Sequence, residues 1–185
     1  MPDIEAIVPL ADGFEEIEAV AVIDVLRRAG VAVFVAGVGG SRITGSHGIC
    51  IACDGEIEAV DPSGVAAVVL PGGMPGARNL GESTHVLGAV RAVAAAGGLV
   101  AAVCAAPTIL NGLGLLDGRR ATSHPAHAAE MDRCRYVEDA VVEDGNVITS
   151  RGAGTSIAFA GAVVSRLRDP GTAGDVLARM VFPID

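Results

Sequence analysis

The 185-residue sequence predicts a three-layered α/β fold with a mostly parallel sheet. Short, wholly apolar runs recur along the chain, and most are followed by a stretch of helical periodicity. That alternation is the signature of βαβ units. The apolar runs do not alternate with polar residues, so each strand is covered on both faces, as helices on either side of a parallel sheet require. Composition agrees: 51% of residues are hydrophobic but only 3% aromatic, with no tryptophan, so the core is built from close-packed Val, Ala, Leu and Ile.

The elements follow in order. Residues 4–10 form a first apolar strand, ending at an Asp12-Gly13 turn. Residues 15–29 carry a helical pattern, and Gly30 stands where a helix C-terminal cap belongs. Residues 31–38 are a second strand, Gly39-Gly40-Ser41 a turn, and residues 42–53 a small hairpin. Residues 65–70 are a third buried strand, ending at Pro71-Gly72-Gly73. Residues 84–96 are a helix and residues 99–103 a fourth strand. A helix runs from Pro107 to about Leu113, because a proline at the first helical position lacks only an N–H the helix does not use. Residues 119–122 read as a strand ending at Ser123-His124-Pro125. Strands at 136–142 and 146–150 flank an Asp144-Gly145 turn, and helices follow at 155–167 and 172–180. There is no linker, repeat or low-complexity tract, so residues 1–185 read as one domain.

The net charge of −9 opposes a nucleic-acid partner, whose phosphates need a basic face, and no polybasic segment points to a membrane surface. All 13 basic residues are arginine, which excludes a Schiff-base or P-loop lysine. The residues between Arg91 and Asp117 carry no charge, but Gly97-Gly98, Pro107 and Asn111 interrupt them. A helix end, a strand and a second helix explain them better than a membrane span. The N-terminus lacks the basic region and apolar run of a signal peptide, and four cysteines in a core-rich chain need no disulfides, so a cytoplasmic setting is expected.

The most informative stretch is Leu99-Val100-Ala101-Ala102-Val103-Cys104-Ala105-Ala106-Pro107. It places Cys104 on a sharp strand-to-helix turn, with small Ala102 and Ala106 two residues to either side, the layout of a nucleophile elbow. Backbone N–H groups and the dipole at a helix start favour thiolate there. An ordinary buried cysteine is the alternative. In such sheets the site lies at the carboxyl ends of the strands, near a switch in strand order. Four turns reach such ends: Asp12-Gly13, Pro71-Gly72-Gly73, Cys104 and His124.

Glu15, Glu16 and Glu18 crowd the first turn of the first helix, where negative charge is favourable. Glu18 and Glu15 share stripes with apolar residues and are candidates for a buried, partly protonated carboxyl, whereas Glu16 lies on a mixed face. Gly72-Gly73 lets backbone N–H groups approach a ligand, giving half of an oxyanion hole with Ala105 as the other half. Cys50 and Cys53 form a C-x-x-C on an apparent strand, so they point to opposite faces and share neither metal nor disulfide. Gly152-Ala153-Gly154-Thr155 follows a strand and could hold an anion, but Ile157 breaks the dinucleotide pattern.

Taken in order, five stretches resemble the ThiJ/PfpI superfamily, specifically its DJ-one branch. They are Ala11-Asp12-Gly13-Phe14-Glu15-Glu16-Ile17-Glu18, Val69-Leu70-Pro71-Gly72-Gly73, Ala101-Ala102-Val103-Cys104-Ala105-Ala106-Pro107-Thr108, Thr122-Ser123-His124-Pro125 and Thr149-Ser150-Arg151-Gly152-Ala153-Gly154-Thr155. The resemblance implies a flavodoxin-like sandwich, similar to class I glutamine amidotransferases, acting as a homodimer with Arg28 and Cys53 at contact positions. It implies that Cys104 is an easily oxidised nucleophile, selects Glu18 as the carboxyl facing it, places His124 near the site, and makes the N–H groups of Gly73 and Ala105 the oxyanion hole. Ala106 and Ala153 depart from the family's usual glycine and proline, and an arginine near the hairpin cysteines is not evident.

The implied chemistry is that of a glutathione-independent glyoxalase or protein deglycase. Small α-oxoaldehydes, or their adducts on protein side chains, would react at Cys104 without metal or cofactor. The alternative is a redox sensor or chaperone-like protein in which Cys104 oxidises to sulfinate. A cysteine peptidase would need an imidazole aligned with the thiol.

Overall fold

A computed structural model describes residues 4–183. The sheet is built from β1 (Ala6–Leu10), β2 (Val33–Gly37), β5 (Gly55–Glu56), β6 (Ala67–Leu70), β7 (Leu99–Val103), β10 (Val141–Asp144) and β11 (Val147–Ser150). Their order is β10-β11-β7-β6-β1-β2-β5, and every neighbouring pair is parallel except the β10–β11 hairpin. Each central strand divides its residues by period two. In β7, Leu99, Ala101 and Val103 join one core while Val100 and Ala102 join the other. Helices α1 (Glu16–Arg28), α5 (Ser156–Leu167) and α6 (Pro170–Arg179) cover the first face, with Val22, Leu26, Phe159 and Val163 buried against the sheet. Helices α2 (Gly76–Glu82), α3 (Thr84–Ala95) and α4 (Pro107–Gly112) lie on the side of the second core, which holds Leu80, Val90 and Leu110. The expected three layers are present.

The chain winds from β1 to β2 in one direction, then returns to the other side of β1 with β6, β7 and β11. The reversal falls between β1 and β6. The loops leaving the carboxyl ends of β1, β6 and β7 therefore open around one crevice, and all three carry residues singled out by the sequence.

Several boundaries differ from expectation for physical reasons. Helix α2 was not foreseen: it is only seven residues long, and Gly76 and Gly81 near its ends hide a pattern in which just Gly76, Ala77 and Leu80 are buried. The expected strand at 136–142 divides into β9 (Arg135–Tyr136) and β10. The bend between them carries Glu138 and Asp139, whose partners lie elsewhere: the Glu138 carbonyl accepts from Arg151 and the Asp139 carboxylate from Arg120. Strand β9 pairs with β8 (Arg120–Ala121) in a separate two-stranded sheet. Helix α6 starts two residues early because Asp169 caps it, its Oδ1 accepting from the Thr172 N–H, and Pro170 takes the first position. Strand β5, two residues long, carries no pattern to read.

The hairpin of β3 (Arg42–Thr44) and β4 (Cys50–Ala52) forms as expected. It is fastened to α1 by Glu16, which the sequence placed on a mixed face but which is buried. Its carboxylate accepts from the N–H groups of His47 (2.7 Å) and Ile49 (3.3 Å) and pairs with the His47 ring (2.9 Å). Burial opposes the charge, but these hydrogen bonds outweigh it and hold the carboxyl at about 2. The carboxyl is sealed by the hairpin lying over it rather than by depth in the molecule. The uncharged stretch between Arg91 and Asp117 folds as the end of α3, then β7 and α4. Among the described residues no helix is long and apolar enough to cross a membrane.

Candidate functional site

Cys104 sits at the end of β7 with φ = 64°, a left-handed conformation that a residue with a Cβ adopts at a cost of about 1–3 kcal/mol. The strain is held on both sides: the Cys104 N–H donates to the Ser150 carbonyl (3.0 Å), and the Cys104 carbonyl accepts from the His124 N–H (2.8 Å). Ala102 and Ala106 are fully buried, as the tight turn requires. The elbow expected from the sequence is therefore formed, with its thiol half-buried.

Glu18 settles the choice among the three glutamates. It is completely buried in the first turn of α1, and its Oε2 accepts from the Gly72 N–H at 2.8 Å. Glu15 instead caps the helix, its Oε2 accepting from the Glu18 N–H at 2.8 Å. The other oxygen of Glu18, Oε1, is buried without a hydrogen-bond partner. It borders a small space beside Gly152 and His124: a Cβ added at Gly152 would lie 3.9 Å from Oε1 and 3.6 Å from His124 Cδ2.

The Pro71-Gly72-Gly73 turn is fitted to this arrangement on both faces. A Cβ on Gly72 would lie 2.6 Å from Cys104 Cβ and 2.8 Å from Glu18 Oε2. Gly73 has φ = 85°, and a Cβ there would collide with the Glu15 backbone nitrogen. The Glu15 N–H donates to the Gly72 carbonyl (3.0 Å), tying the β6 turn to the α1 start. The two glycines have separate tasks. The Gly72 N–H is spent on Glu18 and so is no oxyanion donor, contrary to the expectation that grouped it with Gly73 and Ala105. The N–H groups of Gly73 and Ala105 are directed at the Cys104 sulfur.

Burial pushes the Glu18 carboxyl up to about 7, against the opposing pull of the Cys104 thiol and the Gly72 N–H. Burial, reinforced by the ionised Glu18 facing it, pushes the Cys104 thiol up to about 12 despite the Gly73 and Ala105 N–H groups. The simple expectation of a thiolate favoured by the helix start is thus overturned. Its donors are present, but burial and a facing carboxylate outweigh them. The pair behaves as one coupled acid. When Glu18 holds a proton, its repulsion vanishes and only burial still opposes the thiolate.

His124 lies at the edge of the site. Its ring is exposed, and Nδ1 accepts from the Ala126 N–H at 3.2 Å. No hydrogen bond joins it to the Cys104 thiol among the described residues, so the alignment a cysteine peptidase needs is not made. Cys50 is exposed and Cys53 half-buried, with burial raising the Cys53 thiol to about 11. In the Gly152–Thr155 turn, Thr155 Oγ1 accepts from the Gly152 N–H and donates to its carbonyl. Ser150 was not singled out for its carbonyl, which fixes the Cys104 N–H. Residue type carries no signal for a role played by the backbone.

The site thus combines a strained cysteine at a strand-to-helix elbow with a buried carboxyl, at the switch point of an α/β sandwich. The model of the DJ-1/PfpI family matches residues 5–166, and the chain belongs to that family. It is 42% identical over 182 residues to the Parkinson disease protein 7 homolog of Danio rerio, covering 96% of each chain. It is 34% identical over 158 residues to the glutathione-independent glyoxalase DJR-1.2 of Caenorhabditis elegans, covering 84% of each. The crystal structure of Drosophila melanogaster DJ-1beta superposes with a TM-score of 0.93 at 39% identity, over 98% of this chain and 100% of that one.

Proposed function

We propose that this protein converts α-oxoaldehydes such as methylglyoxal and glyoxal to α-hydroxy acids at Cys104, without glutathione. The observation that carries the reading is the buried Glu18 facing the Cys104 thiol, with one oxygen anchored by Gly72 and the other left without a partner. The Cys104 sulfur adds to the aldehyde carbon, and its proton passes to the new oxygen, giving a hemithioacetal. Glu18 removes the C–H proton to form an enediol and returns a proton to the neighbouring carbon. The product is a thioester, which water hydrolyses to the hydroxy acid and free Cys104. The Gly73 and Ala105 N–H groups stabilise the oxyanions along this path. His124, whose Nδ1 is engaged by the Ala126 N–H, would use its free Nε2 to orient the water. A carboxyl balanced near 7 suits both proton removal and return. The glyoxalase named in Caenorhabditis elegans supports the assignment. A deglycase would use the same cysteine on aldehyde adducts of protein side chains.

A second reading rests on the half-open thiol. The donors that would hold an oxyanion, with a protonated Glu18, would equally hold the oxygens of a Cys104 sulfinate, and the protein would then sense oxidants. We further propose a homodimer through the surface where Ile17, Val20 and Ile49 stand about half exposed, with Arg28 and Cys53 at the contact positions the resemblance implies. A reducing, cytoplasmic setting suits a chain whose chemistry needs Cys104 as a thiol.

The test is to incubate the protein with methylglyoxal alone and follow lactate by proton NMR. Lactate from the wild type, and none from Cys104→Ser or Glu18→Gln, is the expected result. No lactate from the wild type, with selective oxidation of Cys104 by peroxide, overturns the enzymatic reading in favour of the sensor.

A further inference from the structure

A groove of about 600 Å³ runs between α2, α3, α4 and the 3-10 turn Pro125–Glu130. Its lining includes Ala105 and Met74. Ala105 supplies one of the N–H groups aimed at the Cys104 sulfur, and Met74 follows Gly73, which supplies the other. The groove thus adjoins the two turns that carry these N–H groups. It is far larger than a three-carbon aldehyde needs and lies in the range of sites for larger organic ligands.

The charges of the groove run against those of the molecule. The chain carries a net charge of −9, yet Arg78 from α2 and Arg91 from α3 both line this space. Neither guanidinium has an ion-pair or hydrogen-bond partner among the described residues, a state shared with Arg42 and Arg179, whereas the other nine arginines are engaged by carboxylates or backbone carbonyls. The acidic residue in the lining, Glu130, is engaged by the His127 ring at 2.6 Å. Two uncommitted arginines in a concavity focus a positive potential that the acidic remainder of the surface does not offer. Guanidinium forks suit planar oxyanions, and repel the cationic side chains whose aldehyde adducts a deglycase would take.

Building on the reaction proposed above, we propose that this groove is the specificity subsite of Cys104, and that Arg78 and Arg91 bind an oxyanion carried on the far end of the α-oxoaldehyde. The preferred substrate is then an anionic aldehyde larger than methylglyoxal, not an adduct on Arg or Lys. Both arginines are positioning residues that would hold the anionic end of the substrate and take no part in the reaction of an uncharged aldehyde.

The experiment compares 4-carboxyphenylglyoxal with phenylglyoxal, two aldehydes differing by one carboxylate, in wild type, Arg78→Gln, Arg91→Gln and the double variant. The expected result is a kcat/KM about tenfold or more in favour of the carboxylated substrate, which falls toward unity in the double variant while phenylglyoxal and methylglyoxal turn over unchanged. A wild-type ratio near one, or a preference that survives both substitutions, overturns the subsite. Titration calorimetry with 4-acetylbenzoate and acetophenone, which lack the aldehyde, separates the two proposals. Arginine-dependent binding of the benzoate without turnover of any aldehyde keeps the subsite and rejects the glyoxalase. Turnover of phenylglyoxal without arginine-dependent benzoate binding does the reverse. A phosphate arm, with inorganic phosphate as competitor, tells whether the groove prefers carboxylate or phosphate.

Discussion

Replacing Glu18 with Gln should stabilise the protein, and only above about pH 5. Gln keeps the shape of the side chain and an oxygen to accept from the Gly72 N–H, but carries no charge for the burial of the side chain to oppose. Glu18 titrates at about 7 in the folded protein against an ordinary value of 4.5. A raised value means the native state holds its proton where the unfolded chain has lost it, so this group's contribution declines as pH rises from 4.5 and is fully lost above 7. The gap of about 2.5 pH units, at about 1.4 kcal/mol each, amounts to about 3 kcal/mol. For a chain of this size that is a difference in Tm of roughly 6–12 °C. Urea and thermal unfolding of wild type and Glu18→Gln from pH 4 to 8.5 would show it, since titrations common to both proteins cancel in the difference. The two curves should run parallel at pH 4 and diverge between 5 and 7, with the variant the more stable. A pH-independent difference, or a wild type that gains on the variant as pH rises, would refute the assignment of Glu18 as a carboxyl destabilised by its own charge.

Aldehyde turnover should rise through about pH 7 as the Glu18–Cys104 pair gives up its first proton, and Glu18→Gln should remove both the activity and the inflection; a rise centred near pH 5 would contradict it. Gly72→Ala should cost at least a hundredfold in kcat/KM, since the new methyl meets Cys104 and Glu18 at under 3 Å; near-wild-type rates would show that the crevice adapts. Glu16→Ala should raise amide hydrogen exchange at His47 and Ile49, whose N–H groups it anchors, and leave β1 and β7 protected; unchanged exchange would mean the hairpin holds without it. Phe159→Ala, in the fully buried core between α5 and the sheet, should lower stability by about 3–5 kcal/mol in urea unfolding, and a loss under 1 kcal/mol would mean that core collapses around the cavity.

The sheet was legible because its strands are buried on both faces, and the uninterrupted apolar runs at β1, β6 and β7 have few other readings. The elbow was legible because steric demand at Cys104 leaves a mark in residue type: Ala102 and Ala106 are small for a reason that also fixes the backbone. Helix α2 left no such mark, since three small or apolar positions in seven residues do not make a period. Glu16 was misplaced because its burial is not a property of its own helix. A hairpin arriving from thirty residues away covers it, and periodicity within α1 says nothing of that. The division of labour between Gly72 and Gly73 lay equally out of reach: both are glycines at one turn, and only the direction of two N–H groups separates an anchor for Glu18 from a donor to the sulfur.

The raised affinity of Cys104 for its proton at first looks opposed to a nucleophilic role, yet it is what the proposed reaction asks for. A thiolate held permanently by cations would need no partner and would leave the C–H proton of the hemithioacetal without a base. Here burial keeps the pair from carrying two negative charges, so near neutral pH it retains one proton in two places it can occupy. With the proton on Glu18, the sulfur is free to attack, supported by Gly73 and Ala105. With the proton passed on to the new hydroxyl, Glu18 is a carboxylate whose unpaired Oε1 can take the carbon-bound hydrogen. The same exchange restores the thiol when the thioester is hydrolysed. Replacing Glu18 by Asp, which keeps the charge but withdraws it from Gly72 and the sulfur, should therefore lower kcat far more than it changes KM. Equal effects on both would mean that Glu18 shapes the crevice rather than moves the proton.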